Sequence, residues 1–260
     1  MGDHRHRATA RQPYLVKQIG HGYRAYTDQI SDILRIAGQF DDILPPLCDR
    51  PKGRYYKDTM TQTKPVTVLA PSRFGETIIA QLRTAQDNFR ALERQAELVA
   101  QAAEMMIAAL KAGNKVMFCG NGGSAADSQH LAAELMGRYM RDRRPLPALS
   151  LTVDTSALTA IGNDYGYDEV FARQLRGIGA KGDVLVGIST SGNSANVVKA
   201  IAAAREMGIR TIALTGETGG KLASATDLCI AVPASKTNEI QEMHIAIGHI
   251  VCGLVEDAVC

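Results

Sequence analysis

From Lys115 onward the chain alternates short, mostly apolar runs with stretches of helical periodicity, and this alternation limits the folds open to it. Five runs read as strands: Lys115–Cys119 (KVMFC), Leu146–Thr152, Asp183–Ile188 (DVLVGI), Thr211–Leu214 and Leu228–Val232. A strand that is apolar at nearly every position must be covered on both faces. Between the runs, Ala125–Arg138, Ser156–Gly162, Asp168–Gly177 and Ala195–Met207 read as helices, and a last helix runs from Glu239 to Ala258. The pattern predicts an α/β fold with a five-stranded parallel sheet between two helical layers, a three-layer α-β-α sandwich. Ahead of it, Ile79, Leu82, Phe89, Leu92, Leu98, Met105 and Leu110 recur at helical spacing from Glu76 to Ala112, where Gly113-Asn114 supplies a stop.

The first part of the chain has a different character. The first glutamate is Glu76, and five of the eight tyrosines (Tyr14, Tyr23, Tyr26, Tyr55 and Tyr56) lie before Met60. Leu44–Arg54 reads as loop, and 28–40 as one short helix. We therefore divide the chain into an extension over 1–72, expected to be poorly ordered or a small helical appendage, and a domain over 73–260. Met60 is a candidate natural start.

Composition excludes several partner classes. The formal net charge is +2, which gives no reason to expect a nucleic-acid surface. No run of apolar residues is long enough to span a membrane. The polar start, with His4, Arg5, His6 and Arg7, does not resemble a secretory signal. Five cysteines, of which Cys119, Cys229 and Cys252 sit in apolar surroundings, lack metal-ligand spacing and read as reduced thiols. A cytoplasmic location is expected.

In open parallel sheets, ligands bind at the carboxyl ends of the strands. Two of the loops there have the chemistry of an anion site. Gly120-Asn121-Gly122-Gly123-Ser124 follows the first strand and opens a helix, so its backbone can approach a ligand closely and helix-end N–H groups face an anion. Gly120, Gly122 and Ala125 also satisfy a G-x-G-x-x-A dinucleotide fingerprint, with Asp154 as a rough acidic partner. Ser189-Thr190-Ser191-Gly192-Asn193-Ser194 follows the third strand. N-capping needs one hydroxyl and four are present, as suits a phosphate monoester. Thr215–Gly220, after the fourth strand, reads as pocket rim or plain loop.

A third constellation has metal-type chemistry. His130 and Glu134 are spaced i, i+4 on one helix; Gln241 and His249 share a face of the last helix, with His244 between them. Such a set could hold zinc or a similar divalent ion if the two helices meet. Satisfied core histidines are the competing reading.

Taken together, CGNGGSAADSQHLAAELMGRY, GNDYGYD, GISTSGNSANVVKAI, LTGETGGKL and EIQEMH…H closely resemble the sugar isomerase (SIS) domain, and within it the phosphoheptose isomerases, from Glu76 to Cys260. The resemblance implies an aldose–ketose isomerase that converts sedoheptulose 7-phosphate to D-glycero-D-manno-heptose 7-phosphate through an enediol, in heptose biosynthesis. It implies a homotetramer with one zinc ion per subunit, ligated by His130, Glu134, Gln241 and His249. Glu134 and His249 would be the acid–base pair. Asn121, Gly122, Gly123, Ser189, Thr190, Ser191 and Ser194 would hold phosphate and sugar, with Glu134 and Gln241 also at the substrate. Asn163, Asp164 and Arg138 would line the same site. The family often carries an aspartate just before EIQEMH, where this chain has Lys236-Thr237-Asn238. The rivals are SIS relatives that bind the replication initiator and lack the last histidine, regulatory SIS modules, an isomerase for another sugar phosphate, and a dinucleotide oxidoreductase.

Overall fold

A computed structural model describes residues 73–260; the extension over 1–72, including the helix expected at 28–40, lies outside the described residues. The elements run α1 (Gly75–Leu92), a 3-10 turn (Glu93–Gln95), α2 (Ala96–Lys111), β1 (Val116–Gly120), α3 (Gly123–Met136), β2 (Ala148–Ser150) and α4 (Thr155–Tyr165). Then follow a 3-10 turn (Tyr167–Glu169), α5 (Val170–Ile178), β3 (Val184–Ser189), α6 (Ala195–Glu206), β4 (Arg210–Thr215), α7 (Leu222–Ala225), β5 (Leu228–Ala231) and α8 (Thr237–Val259).

The five strands form one sheet in the order β2-β1-β3-β4-β5, and every pair is parallel. The expected sandwich is present. Val116 and Phe118 point into a core shared with α2, α3 and α8, while Met117 and Cys119 point into a second core shared with α5 and α6. Covering both faces is what an uninterrupted apolar strand requires, and each fully buried Leu, Ile or Val contributes about 2 kcal/mol. The chain leaves β1 toward one edge to make β2, then returns to place β3 on the other side. That reversal opens a crevice between the carboxyl ends of β1 and β3.

Two expectations needed correction. The helix read over 76–112 is two helices. They part at Glu93–Gln95, where Gln95 Nε2 donates to the Ala231 carbonyl of β5. The apolar period continues through the break, yet α2 buries six residues and α1 only Leu92; Ile79, Leu82 and Phe89 are exposed. The second strand is also shorter than the apolar run 146–152, because only Ala148–Ser150 pairs with β1.

The far end of α8 is fastened to the loop after α3. Glu256 is buried and accepts the backbone N–H groups of Tyr139, Met140 and Arg141 at 3.1, 2.7 and 3.1 Å. Its Oε1 also pairs with Arg143 Nε at 2.8 Å. Burial alone would push the Glu256 carboxyl up; the three N–H groups and the guanidinium outweigh it and hold the carboxyl below its ordinary value. Arg143 then donates to the Leu135 and Glu134 carbonyls of α3 at 2.9 and 2.8 Å. This buried network sets α8 against α3.

Candidate functional site

The crevice at the β1/β3 switch is an open cleft of about 310 Å³. Its walls are Asn121–Ser124 from the glycine turn, Ile188, Ser189, Thr190 and Ser194 from the hydroxyl loop, and Thr237 and Gln241 from α8. The first residues of α3 and α8 and the N-cap of α6, Ser194, border it, so three helix N-termini, each a partial positive charge, converge on one space. Among the described residues, no lysine or arginine lines the cleft. Backbone dipoles and hydroxyls therefore make its anion chemistry.

The cleft is held in shape locally. Gly120 is required at the end of β1, since a Cβ there would lie 2.7 Å from the Ser124 carbonyl oxygen. Ser189, which is buried, shares a hydrogen bond with Ser194 across the loop, Oγ to Oγ at 2.8 Å. Gly192 adopts φ +65°, and a Cβ on it would meet the Gly219 carbonyl at 2.1 Å. The hydroxyl loop can pack this tightly against 219–220 only with glycine.

Beside the cleft, α3 and α8 bring a second set together. His130 Nε2 lies 2.9 Å from His249 Nε2 and 3.3 Å from Glu134 Oε1. One potential ligand atom from each of the three residues falls within 4.8 Å of the others. The two imidazoles meet edge to face, and the Tyr139 ring stacks on His249 with centroids 5.9 Å apart. Gly248 permits this approach: a Cβ there would come within 2.4 Å of Leu131 on α3.

The donor set fits a divalent cation. Two imidazole nitrogens and a carboxylate oxygen are ordinary zinc ligands. Neighbouring ligand atoms in a tetrahedral zinc shell lie about 3.3 Å apart, the spacing already found between His130 and Glu134. Asp127, one turn before His130 on α3, has a buried Oδ2 without a hydrogen-bond partner. Burial pushes its carboxyl up, and His130 and His249 pull it partway back. A nearby cation would compensate that buried oxygen.

The other residues singled out in the sequence take varied places. Gln241 lies against Gly123, where a Cβ would meet its Nε2 at 2.5 Å, so it lines the cleft two turns before His249. Ser191 is turned out of the cleft into a neighbouring hollow with Thr190, Gly216 and Glu217, and its Oγ accepts the Asn193 N–H at 3.1 Å. Asn163, Asp164 and Arg138 are exposed and do not border the cleft within one chain; Asn163 Nδ2 donates to Asp164 Oδ1 at 2.8 Å. His244 is a core histidine. Its Nε2–H donates to the Thr215 carbonyl at 3.1 Å, and burial lowers the ring to about 4. Cys119 and Cys252 are pushed up to about 12 by burial, which removes them as nucleophiles.

The sequence reading did not single out Asp127, Asn196, Tyr139 or Tyr167. Asp127 could have been found by spacing, since it shares the His130 face of α3 at i, i−3. The other three act through contacts distant in the chain.

The SIS domain family profile matches residues 82–216. The phosphoheptose isomerase of Rhodospirillum rubrum is 61% identical over 183 residues, covering 70% of this chain and 97% of the relative. The chain belongs to the phosphoheptose isomerases of the SIS family. The Akkermansia muciniphila member is likewise 61% identical, over 182 residues. The solved phosphoheptose isomerase of Neisseria gonorrhoeae is 48% identical, covers 70% of this chain and 98% of its own, and superposes with a TM-score of 0.67. The family's length thus falls on the α/β domain. The dinucleotide reading of Gly120–Ala125 gives way to a sugar-phosphate one.

Proposed function

We propose that this chain interconverts sedoheptulose 7-phosphate and D-glycero-D-manno-heptose 7-phosphate, as an aldose–ketose isomerase of heptose biosynthesis. The observation that carries the reading is adjacency. Gln241 lines the anion cleft, and the same helix carries His249 into contact with His130, beside Glu134. A phosphorylated sugar seated in the cleft would extend its other end toward titratable groups. His249 also separates the chain from the initiator-binding relatives, which lack it.

Ketose-to-aldose conversion removes a proton from C1 and returns one at C2, while O2 gains a proton and O1 loses one. Glu134, half-buried beside His130, is assigned the carbon protons, and His249 the oxygen protons. A zinc ion, one per subunit, held by His130, Glu134, Gln241 and His249, would polarise the carbonyl. Ser189, Thr190, Ser194 and the α3 amides at Gly122 and Gly123 would hold the phosphate, with Ser191 joining through movement of its loop. Arg138, Asn163 and Asp164 would reach substrate in a homotetramer. That assembly accounts for the exposed Ile78, Ile79, Leu82, Ile250 and Leu254, and for an apolar groove of about 320 Å³ between α1, α2 and α8. No helix among the described residues is long and apolar enough to cross a membrane.

The test is an assay of the purified full chain with sedoheptulose 7-phosphate, with chelator and with zinc restored. Turnover that chelator removes and zinc returns supports the reading. A metal-loaded protein that leaves this sugar unchanged and turns over another sugar phosphate would overturn the substrate assignment.

A further inference from the structure

Three segments meet at the side chain of Asn121. Asn121 belongs to the glycine turn, Asn196 to the first turn of α6 just past the hydroxyl loop, and Tyr167 to the 3-10 turn after α4. The two carboxamides face each other. Asn121 Nδ2 donates to Asn196 Oδ1 at 2.9 Å, and Asn196 Nδ2 donates back to Asn121 Oδ1 at 2.8 Å. Tyr167 Oη donates to Asn121 Oδ1 at 3.3 Å.

The orientation of the pair follows from its third partner. Asn196 Oδ1 also accepts the Val197 backbone N–H at 3.0 Å, and only an oxygen can do so. With Asn196 fixed, the reciprocal bonds fix Asn121. Its oxygen has two lone pairs, one taken by Asn196 and one by Tyr167. Its nitrogen has two hydrogens, one given to Asn196. The second is left for the cleft, which Asn121 lines and Asn196 does not. The cleft is thereby offered a hydrogen-bond donor, the form that suits a phosphate or sugar oxygen.

We infer that Asn196, assisted by Tyr167, is a positioning residue that fixes Asn121 as a donor to the sugar phosphate and ties the two anion-binding loops together. Substrate affinity then depends on a residue that is 3% exposed and does not border the cleft. The inference rests on the sugar-phosphate reading above. Its physical content is that a carboxamide free to turn would present its oxygen to the phosphate half of the time, and repel it.

A double-mutant cycle tests it. Asn196→Asp keeps the shape but removes the donor to Asn121 Oδ1 and sets a carboxylate oxygen against it, so the Asn121 carboxamide loses the bond that fixes its orientation. Tyr167→Phe removes one bond only. Both are made in the native chain and in an Asn121→Ala background. The readouts are KM and kcat for sedoheptulose 7-phosphate, the Kd of inorganic phosphate by calorimetry, and Tm. In the native background Asn196→Asp is expected to raise KM and Kd about tenfold, the effect of one lost charge-assisted hydrogen bond, with kcat within about twofold. Tyr167→Phe should raise them about two- to threefold. In the Asn121→Ala background both effects should shrink to less than about twofold. A tenfold loss that persists without the Asn121 side chain would mean simple charge repulsion, and would overturn the inference. A fall in Tm with KM and Kd unchanged would reduce the pair to a structural staple, and would overturn it too. A native chain that fails to isomerise, while the phosphate cycle still couples residues 121 and 196, would reject the sugar-phosphate function and uphold the positioning role.

Discussion

The anion cleft and the imidazole cluster sit side by side but are built in opposite ways. The cleft is made of short loops, each continuous in sequence and pinned by its own bonds: Ser189 to Ser194, and the Ser124 N–H to the Asn121 carbonyl at 3.0 Å. The cluster joins residues 119 positions apart, His130 and His249, and depends on how two helices pack. In the cleft, side chains such as Ser189 with Ser194 and Asn121 with Asn196 hold one another in place. In the cluster, two Nε2 atoms point at each other and a buried Asp127 oxygen has no partner. The first region takes its shape from bonds within the protein, whereas the second gathers donor atoms that do not satisfy one another. Changes in the cleft should therefore alter affinity, and changes in the cluster should alter turnover and metal binding.

The largest expected effect is on turnover. Glu134→Gln and His249→Ala should each lower kcat at least about a hundredfold, the usual loss of a proton-transfer group, with Tm little changed. Steady-state kinetics on metal-analysed protein checks this, and near-native kcat in either variant would remove that residue from the proton transfers. Next is Gly248→Ala, which touches no ligand. Its Cβ would meet Leu131, forcing α8 from α3, with an overpacking cost of about 1–3 kcal/mol. We expect weaker zinc binding by competition with a chelator, and a lower Tm. Unchanged zinc affinity would show that the cluster does not depend on that helix contact.

On the cleft side, Ser194→Ala should raise KM about tenfold while kcat stays within about threefold, because it removes a hydroxyl from the cleft and a partner from Ser189. Ser191→Ala should do less, since Ser191 faces the adjoining hollow. An equal effect of the two would mean that the loop turns over on binding substrate.

How far the sequence disclosed these two regions follows from the same contrast. The strands were legible because a segment covered on both faces is apolar at each position, as in Val184–Ile188. The cleft was legible because glycines and hydroxyls stand together directly after those strands. The break between α1 and α2 was not, since the apolar period passes through it and the contact that marks it, Gln95 to Ala231, spans 136 residues. Of the three histidines bearing on the site, spacing placed His244 and His249 on one helix but could not tell the core residue from the ligand candidate. The register of α8 against α3, set by Gly248 and by Glu256 with Arg143, decides it. Asn196 resembles any residue of a first helical turn until its partner 75 positions away is known.

The smallest effect concerns stability and pH. His244 titrates near 6.5 when unfolded and at about 4 in the fold, so between those values the unfolded chain binds the extra proton. Its contribution is complete above pH 6.5 and is lost as pH falls toward about 4. Glu256, whose carboxyl is held low, loses its contribution in still more acid solution, as pH falls below its unfolded value. We expect Tm to drop between pH 7 and pH 5, and His244→Asn to flatten that drop. An unaltered slope in the variant would assign the acid sensitivity elsewhere.

The measurement that bears most directly on the joint site is anomalous diffraction at the zinc edge, from crystals grown with zinc and soaked with sedoheptulose 7-phosphate. The account expects one zinc peak per subunit among His130, Glu134 and His249, with the phosphate among Gly122, Gly123, Ser189, Thr190 and Ser194 and the carbonyl end reaching the metal. Zinc bound away from α3 and α8, or a phosphate seated outside the cleft, would contradict it.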